Sequence, residues 1–109
     1  MSKDINNFEN DVVQQSFNQP VLADFWAPWC GPCRALGPVL EELDASSGDD
    51  WTLAKINVDN FQQEAAQFQV RSIPSVKLFH QGKVVGEFVG ALPKDQVESF
   101  LSEHLPVQA

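Results

Sequence analysis

Val21-Leu22-Ala23-Asp24-Phe25-Trp26-Ala27-Pro28-Trp29-Cys30-Gly31-Pro32-Cys33-Arg34 is the stretch from which the rest of this chain is read. Residues 21–27 are apolar, branched or aromatic with a single charge, Asp24. That composition predicts a central strand of a parallel sheet covered on both faces. A helix is expected to start around the cysteines and to carry Leu36, Val39, Leu40 and Leu43 as far as the Ser46-Ser47-Gly48-Asp49-Asp50 break. Pro38 lies inside it, where a missing N–H and a clash with the preceding turn predict a kink.

Cys30 and Cys33 are the only two cysteines. Both thiols sit in one vicinal pair, so none is left for a cross-linking framework, and the pair reads as redox chemistry rather than as a staple. A CxxC also opens many zinc knuckles, but a closed zinc site needs four ligands, and His80 and His104 show no ligand-like spacing to the cysteines or to each other. Covalent haem needs histidine where Arg34 stands. Neither a metal nor a cofactor is expected.

The 109 residues suffice for one domain, 1–109, with a core that needs no disulfide or metal. Asp and Glu outnumber Lys and Arg by 15 to 7, a formal net charge of -8, which argues against nucleic acid or an anionic membrane as the main partner. The opening Met1-Ser2-Lys3-Asp4-Ile5-Asn6 lacks the apolar stretch of a secretory signal, and no segment reaches membrane-spanning length. A cytoplasmic monomer is expected, its cysteine pair reduced at rest and oxidised transiently during work.

Away from the cysteines, Phe8, Val12, Val13 and Phe17 recur at helical spacing behind a possible cap at Asn6 or Asn7, predicting a first helix that ends before Gln19-Pro20. Residues 53–58 read as a second strand, 64–68 as a short helix, and 75–79 and 84–89 as an antiparallel hairpin turning at Gly82. A last amphipathic helix has Pro93 in its first turn, Val97, Phe100, Leu101 and Leu105 on one face, and His104 near its negative end.

This order of elements, centred on Trp26-Ala27-Pro28-Trp29-Cys30-Gly31-Pro32-Cys33-Arg34, resembles the thioredoxin family over nearly the whole chain. The likeness extends to Asp24, Lys55, Arg71-Ser72-Ile73-Pro74 and Val89-Gly90-Ala91-Leu92. It implies an α/β thioredoxin fold with a central mixed sheet flanked by helices on both faces. Few residues precede the first helix, so the family's opening edge strand is expected to be vestigial or absent. Gln69 stands where the family commonly has glycine, so a left-handed non-glycine residue or a reshaped turn is expected. Phe61-Gln62 replaces a more usual Asn-Pro pair in a loop.

For the chemistry, Cys30 at a helix start faces unpaired N–H groups and the positive end of the dipole, which favours thiolate. Pro32 suits the first turn, and Cys33 returns to the same face one turn later. Cys30 is therefore expected to be an exposed nucleophile and Cys33 a deeper resolver, with Asp24 as the base for Cys33. Burial should raise the pKa of Asp24 and the ammonium of Lys55 should lower it, with burial prevailing. The plain readings are that Asp24 caps a strand edge or faces solvent and that Lys55 is an ordinary surface lysine. Trp26 reads as packing support and Pro38 as shaping the active helix, while Trp51, Phe88 and Phe100 read only as packing.

The resemblance further implies a cis peptide before Pro74, with the Ile73 backbone free to pair with an extended substrate. It also implies an apolar rim of Trp29, Ile73, Gly90 and Ala91 around Cys30, beside the Gly31-Pro32 dipeptide. That dipeptide resembles the reducing members, whereas oxidising relatives commonly carry histidine there. The implied activity is protein-disulfide reduction on diverse disulfide-containing clients, with electrons from a flavin-containing thioredoxin reductase. The alternative is a thioredoxin-like client-binding domain of a co-chaperone in which redox is secondary and Pro106-Val107-Gln108-Ala109 begins a linker.

Overall fold

A computed structural model describes residues 3–106. The apolar run forms strand β1, Val21–Trp26, which lies inside a four-stranded sheet with β2 (Thr52–Asn57), β3 (Ser75–His80) and β4 (Lys83–Val89). The strand order is β2-β1-β3-β4. β1 runs parallel to β2 and antiparallel to β3, and β3 pairs antiparallel with β4. The sheet is mixed, as expected, and β1 has a parallel neighbour on one side only.

Because side chains alternate across a strand, the sheet has two apolar faces. Leu22, Leu53, Val76 and Leu78 pack with Leu36, Leu40 and Leu43 of helix α1 (Gly31–Ala45) and with Val97, Phe100 and Leu101 of helix α3 (Lys94–His104). Val21, Ala23, Phe25, Ala54, Ile56 and Phe79 pack on the other face, against Phe8, Val12 and Ala65 of helix α2 (Gln62–Gln67). Alternation puts Asp24 on the same face as Leu22, under α1. The helix α1 continues through Pro38 as one element.

The N-terminal edge strand is reduced to one parallel bridge, Asp4 to Lys55, in which Lys55 N–H donates to the Lys3 carbonyl at 2.9 Å and Ile5 N–H donates to the Lys55 carbonyl at 3.1 Å. The first helix is less regular than its spacing implies. Asn7 Oδ1 does accept a first-turn N–H, from Asn10 at 2.8 Å. The backbone then runs as a wide π-helical segment, Glu9–Gln14, followed by a tight 3₁₀ turn, Gln15–Phe17. Those turns advance by different angles per residue, so the apolar stripe breaks. Phe8 and Val12 are buried, but Phe17, expected on the same face, is 59% exposed.

Gln69 adopts the left-handed conformation, φ 58°. Its N–H donates to the Ala66 carbonyl and that of Val70 to the Ala65 carbonyl, which closes α2 in a Schellman arrangement. A side chain at this φ carries a steric penalty that glycine escapes. Gln69→Gly is therefore expected to stabilise the protein by about 1 kcal/mol and Gln69→Val to destabilise it by a similar amount, read from urea midpoints. The β3–β4 hairpin turns on Gln81 and Gly82, both at positive φ, as a two-residue hairpin turn requires. Pro93 caps α3 from just outside, one position before the expected first turn. Of the tail 106–109, only Pro106 lies among the described residues.

Candidate active site

Cys30 ends the loop after β1 in an extended conformation and is the N-cap of α1, with Pro32 in the first turn. Its N–H donates to the Ala27 carbonyl at 3.1 Å, and its carbonyl accepts from Arg34 at 3.2 Å. The sulfurs of Cys30 and Cys33 are joined in a disulfide. Cys33 N–H points at Cys30 Sγ from 3.2 Å, the type of donor that stabilises negative charge on sulfur.

Exposure departs from expectation. Cys30 is 6% exposed and Cys33 2%, so the predicted contrast between an open and a buried sulfur is small. The reason is local packing, since both cysteines cluster with Ala27 and are covered by Trp26, Val58 and Ile73. What separates the two sulfurs is their place on the helix: Cys30 sits at the cap, receiving an N–H, and Cys33 one turn inside.

Two loops converge on this cap. The Ile73-Pro74 peptide is cis, and the Ile73 carbonyl oxygen lies 3.7 Å from Cys30 Sγ. Gly90, at φ 98°, donates its N–H to the Pro74 carbonyl at 2.9 Å, which ties the segment carrying Gly90 and Ala91 to the Ile73-Pro74 turn. Trp29 stands 66% exposed with its indole N–H donated to Asp59 at 3.1 Å. Gly31 is exposed, with open space where a Cβ would be.

Asp24 is 1% exposed, and neither carboxyl oxygen has a hydrogen-bond donor among the described residues. Burial pushes its pKa up to about 7, with Lys55 pulling down against it and Glu41 adding to the rise. Removing a carboxylate from water thus outweighs the nearby cation, as the sequence predicted. The surface readings of Asp24 and Lys55 do not hold. Lys55 is Asp24's register partner on β2, but its ammonium points elsewhere, 3.2 Å from Glu41 Oε2 and 4.4 Å over the Trp26 ring. Trp26 is therefore both packing support and a cation's platform.

A family model described as Thioredoxin matches residues 1–103. The chain is 48% identical over 99 residues to a thioredoxin of Haemophilus influenzae, covering 91% of each chain. It is 48% identical over 85 residues to a thioredoxin of Bacillus subtilis, covering 78% of this chain and 82% of that one. A Mycobacterium bovis thioredoxin is 46% identical over 100 residues, covering 92% of this chain and 84% of the relative. The chain belongs to the thioredoxin family. It is a thiol-disulfide oxidoreductase of the protein-disulfide reductase type, and nothing in these likenesses favours the client-binding alternative. Among the described residues, no helix is long and apolar enough to cross a membrane.

Two neighbours of the site escaped the sequence reading. Glu41 lies eight residues after Cys33, two helical turns along one face through Gly37, so its spacing held the signal. Asp59 comes from the turn after β2 and meets Trp29 only through the fold, so nothing in the sequence pointed to it.

Proposed function

We propose that Cys30 is the nucleophile, Cys33 the resolver and Asp24 the base in a two-step reduction of protein disulfides. The Cys30 thiolate attacks one sulfur of the partner's disulfide. That S–S bond breaks, one partner sulfur leaves with the electron pair, and a mixed disulfide forms on Cys30. Asp24 then takes the Cys33 proton, and the Cys33 thiolate attacks Cys30 Sγ. The mixed bond breaks, the second partner sulfur leaves, and both partner thiolates are protonated. Two electrons have moved to the partner, and Cys30 and Cys33 are left as the disulfide.

The observation that carries this reading is the buried Asp24 carboxyl, without a hydrogen-bond donor among the described residues, under the helix that presents both cysteines. A pKa near 7 matches the base to its working pH, half ionised and able both to accept and to return a proton. Trp29, Ile73, Pro74, Gly90 and Ala91 form the substrate rim beside Gly31 and Pro32. Ile73 offers its backbone to an extended client, a mode of recognition tolerant of side-chain identity. Lys55 tunes Asp24 from the neighbouring strand, and Pro38 shapes α1.

Electrons would come from a flavin-containing thioredoxin reductase. Clients would be diverse disulfide-bearing proteins, and the setting the reducing cytoplasm, where this direction of flow is favoured. The whole chain, 1–109, would act as one domain and as a monomer. Rapid mixing of the reduced protein with a disulfide-bonded protein substrate tests the assignment. Asp24→Asn is expected to leave mixed-disulfide formation within about threefold and to slow its decay at pH 7 by about a hundredfold. Unchanged decay would remove Asp24 from the role of base.

A further inference from the structure

Helix α1 carries Cys33, Gly37 and Glu41 at four-residue intervals, so the three share one stripe. Cys33 and Gly37 are buried, and Glu41 ends the stripe at the solvent edge. Beneath it, β1 and β2 set Asp24 beside Lys55. A pair of opposite charges on adjacent strands would ordinarily close on each other. Here it does not: among the described residues both Asp24 oxygens lack a donor, while Lys55 Nζ is bound to Glu41 and rests over Trp26.

We infer that Glu41 is a positioning residue, whose carboxylate holds the Lys55 ammonium at the rim of the site and so keeps that cation from closing on Asp24. The inference rests on Asp24 being the base of the resolving step. An Asp24 locked in an ion pair would be a poor proton acceptor for Cys33, since its carboxylate would already be satisfied. Gly37 belongs to the same arrangement. The helix passes close over the ammonium here, since a Cβ built on Gly37 would make ordinary contact with Lys55 Nζ at 3.7 Å.

Lys55 also has room to move. A cavity of about 230 Å³ lined by Asp4, Ile5, Trp26, Lys55, Asn57, Asn60 and Phe61 lies at the β2 edge, where the opening strand has shrunk to one bridge. The charged and titratable groups around Asp24 are therefore few. From α1 comes Glu41 and from β2 comes Lys55, which lines the cavity together with Asp4. From β3 the register partner is Val76, which is apolar.

The test is the titration of the Asp24 side-chain carbon, followed by carbon-13 NMR in the oxidised full-length protein, for the parent, Glu41→Gln, Lys55→Met and the double variant. Glu41→Gln releases Lys55 toward Asp24 and is expected to lower the Asp24 midpoint by roughly one pH unit. In the Lys55→Met background the same change removes only a distant negative charge, so the shift should shrink to a fraction of that. Equal shifts in the two backgrounds would overturn the inference, because Glu41 would then act as a charge alone or Lys55 would turn to Asp4 instead. No shift in either background would overturn it as well.

The pH profile of mixed-disulfide decay separates this from the base assignment. A carboxyl midpoint that moves together with the acid limb of that profile supports both. A midpoint that moves while the decay profile stays put supports the positioning of Lys55 by Glu41 and removes Asp24 as base.

Discussion

Cys33→Ser is expected to arrest the reaction half-way, with client proteins left covalently attached to Cys30 and steady-state disulfide reduction lowered by at least about a thousandfold. A thousandfold corresponds to about 4 kcal/mol of lost barrier reduction. The cause is positional. Cys33 Sγ is within bonding reach of Cys30 Sγ because the two residues occupy the cap and the first turn of one helix, so its attack is intramolecular and outcompetes any outside thiol. A serine there occupies the same place but cannot form the S–S bond that expels the client. Cys30→Ser should instead abolish adduct formation. Gel shifts that a small dithiol reverses, with mass spectrometry of what is released, read both outcomes. Near-parental turnover by Cys33→Ser would defeat the two-cysteine mechanism.

The second large effect is on stability, and its sign follows from the direction of the Asp24 shift. The carboxyl rises from 3.8 to about 7 on folding, so between those values the folded chain holds a proton that the unfolded chain has lost. Stability attributable to this group is fully present below pH 3.8, declines as pH rises through the window, and levels off above about 7. The shift corresponds to about 4 kcal/mol. Asp24→Asn, which keeps the shape and carries no charge, is expected to be more stable than the parent at pH 8 by about that amount. The advantage should fade toward pH 4. Urea unfolding of both oxidised proteins across this range gives the difference, in which the other titrating groups largely cancel. A difference flat with pH would show that Asp24 is not held in a desolvated site.

These two expectations have one origin. On the proposed mechanism, a carboxylate that costs stability when charged sits in the core to serve as base for a resolving thiol that is itself largely covered. The site thus trades stability for function through a single atom group, and Asp24→Asn should show the trade directly as a more stable and slower protein.

Much of this was legible in the chain. The helix start at Cys30 follows from Pro32 and from the change of period after Trp26, and the strands from their apolar runs. The left-handed Gln69 is one of the two outcomes, with a reshaped turn, that the resemblance implied where the family commonly has glycine. The misreadings share a cause. Phe17 was assigned to a buried face on the assumption of one uniform helix, but the change from wide to tight turns rotates it outward. Cys30 was expected to be exposed, yet Trp26, Val58 and Ile73 cover the cysteine cluster from three separate segments. Lys55 does lie beside Asp24 and pulls its pKa down, as expected, but its ion pair is with Glu41 of α1, across the strand–helix interface.

By itself, the order of residues determined which side chains can do chemistry and which short-range geometry they have: a vicinal sulfur pair at a helix cap, a lone carboxylate in an apolar strand, a proline before a strand. Those properties depend on neighbours a few positions away and on transfer from water, both of which are local. Only the tertiary structure decided where the charges point and what shields the sulfurs. The hold of Glu41 on Lys55, the Ile73 carbonyl beside Cys30 and the Asp59 grip on Trp29 join residues 14, 43 and 30 positions apart. Such contacts are chosen among competing partners by packing, and competition of that kind leaves no periodic trace in the sequence.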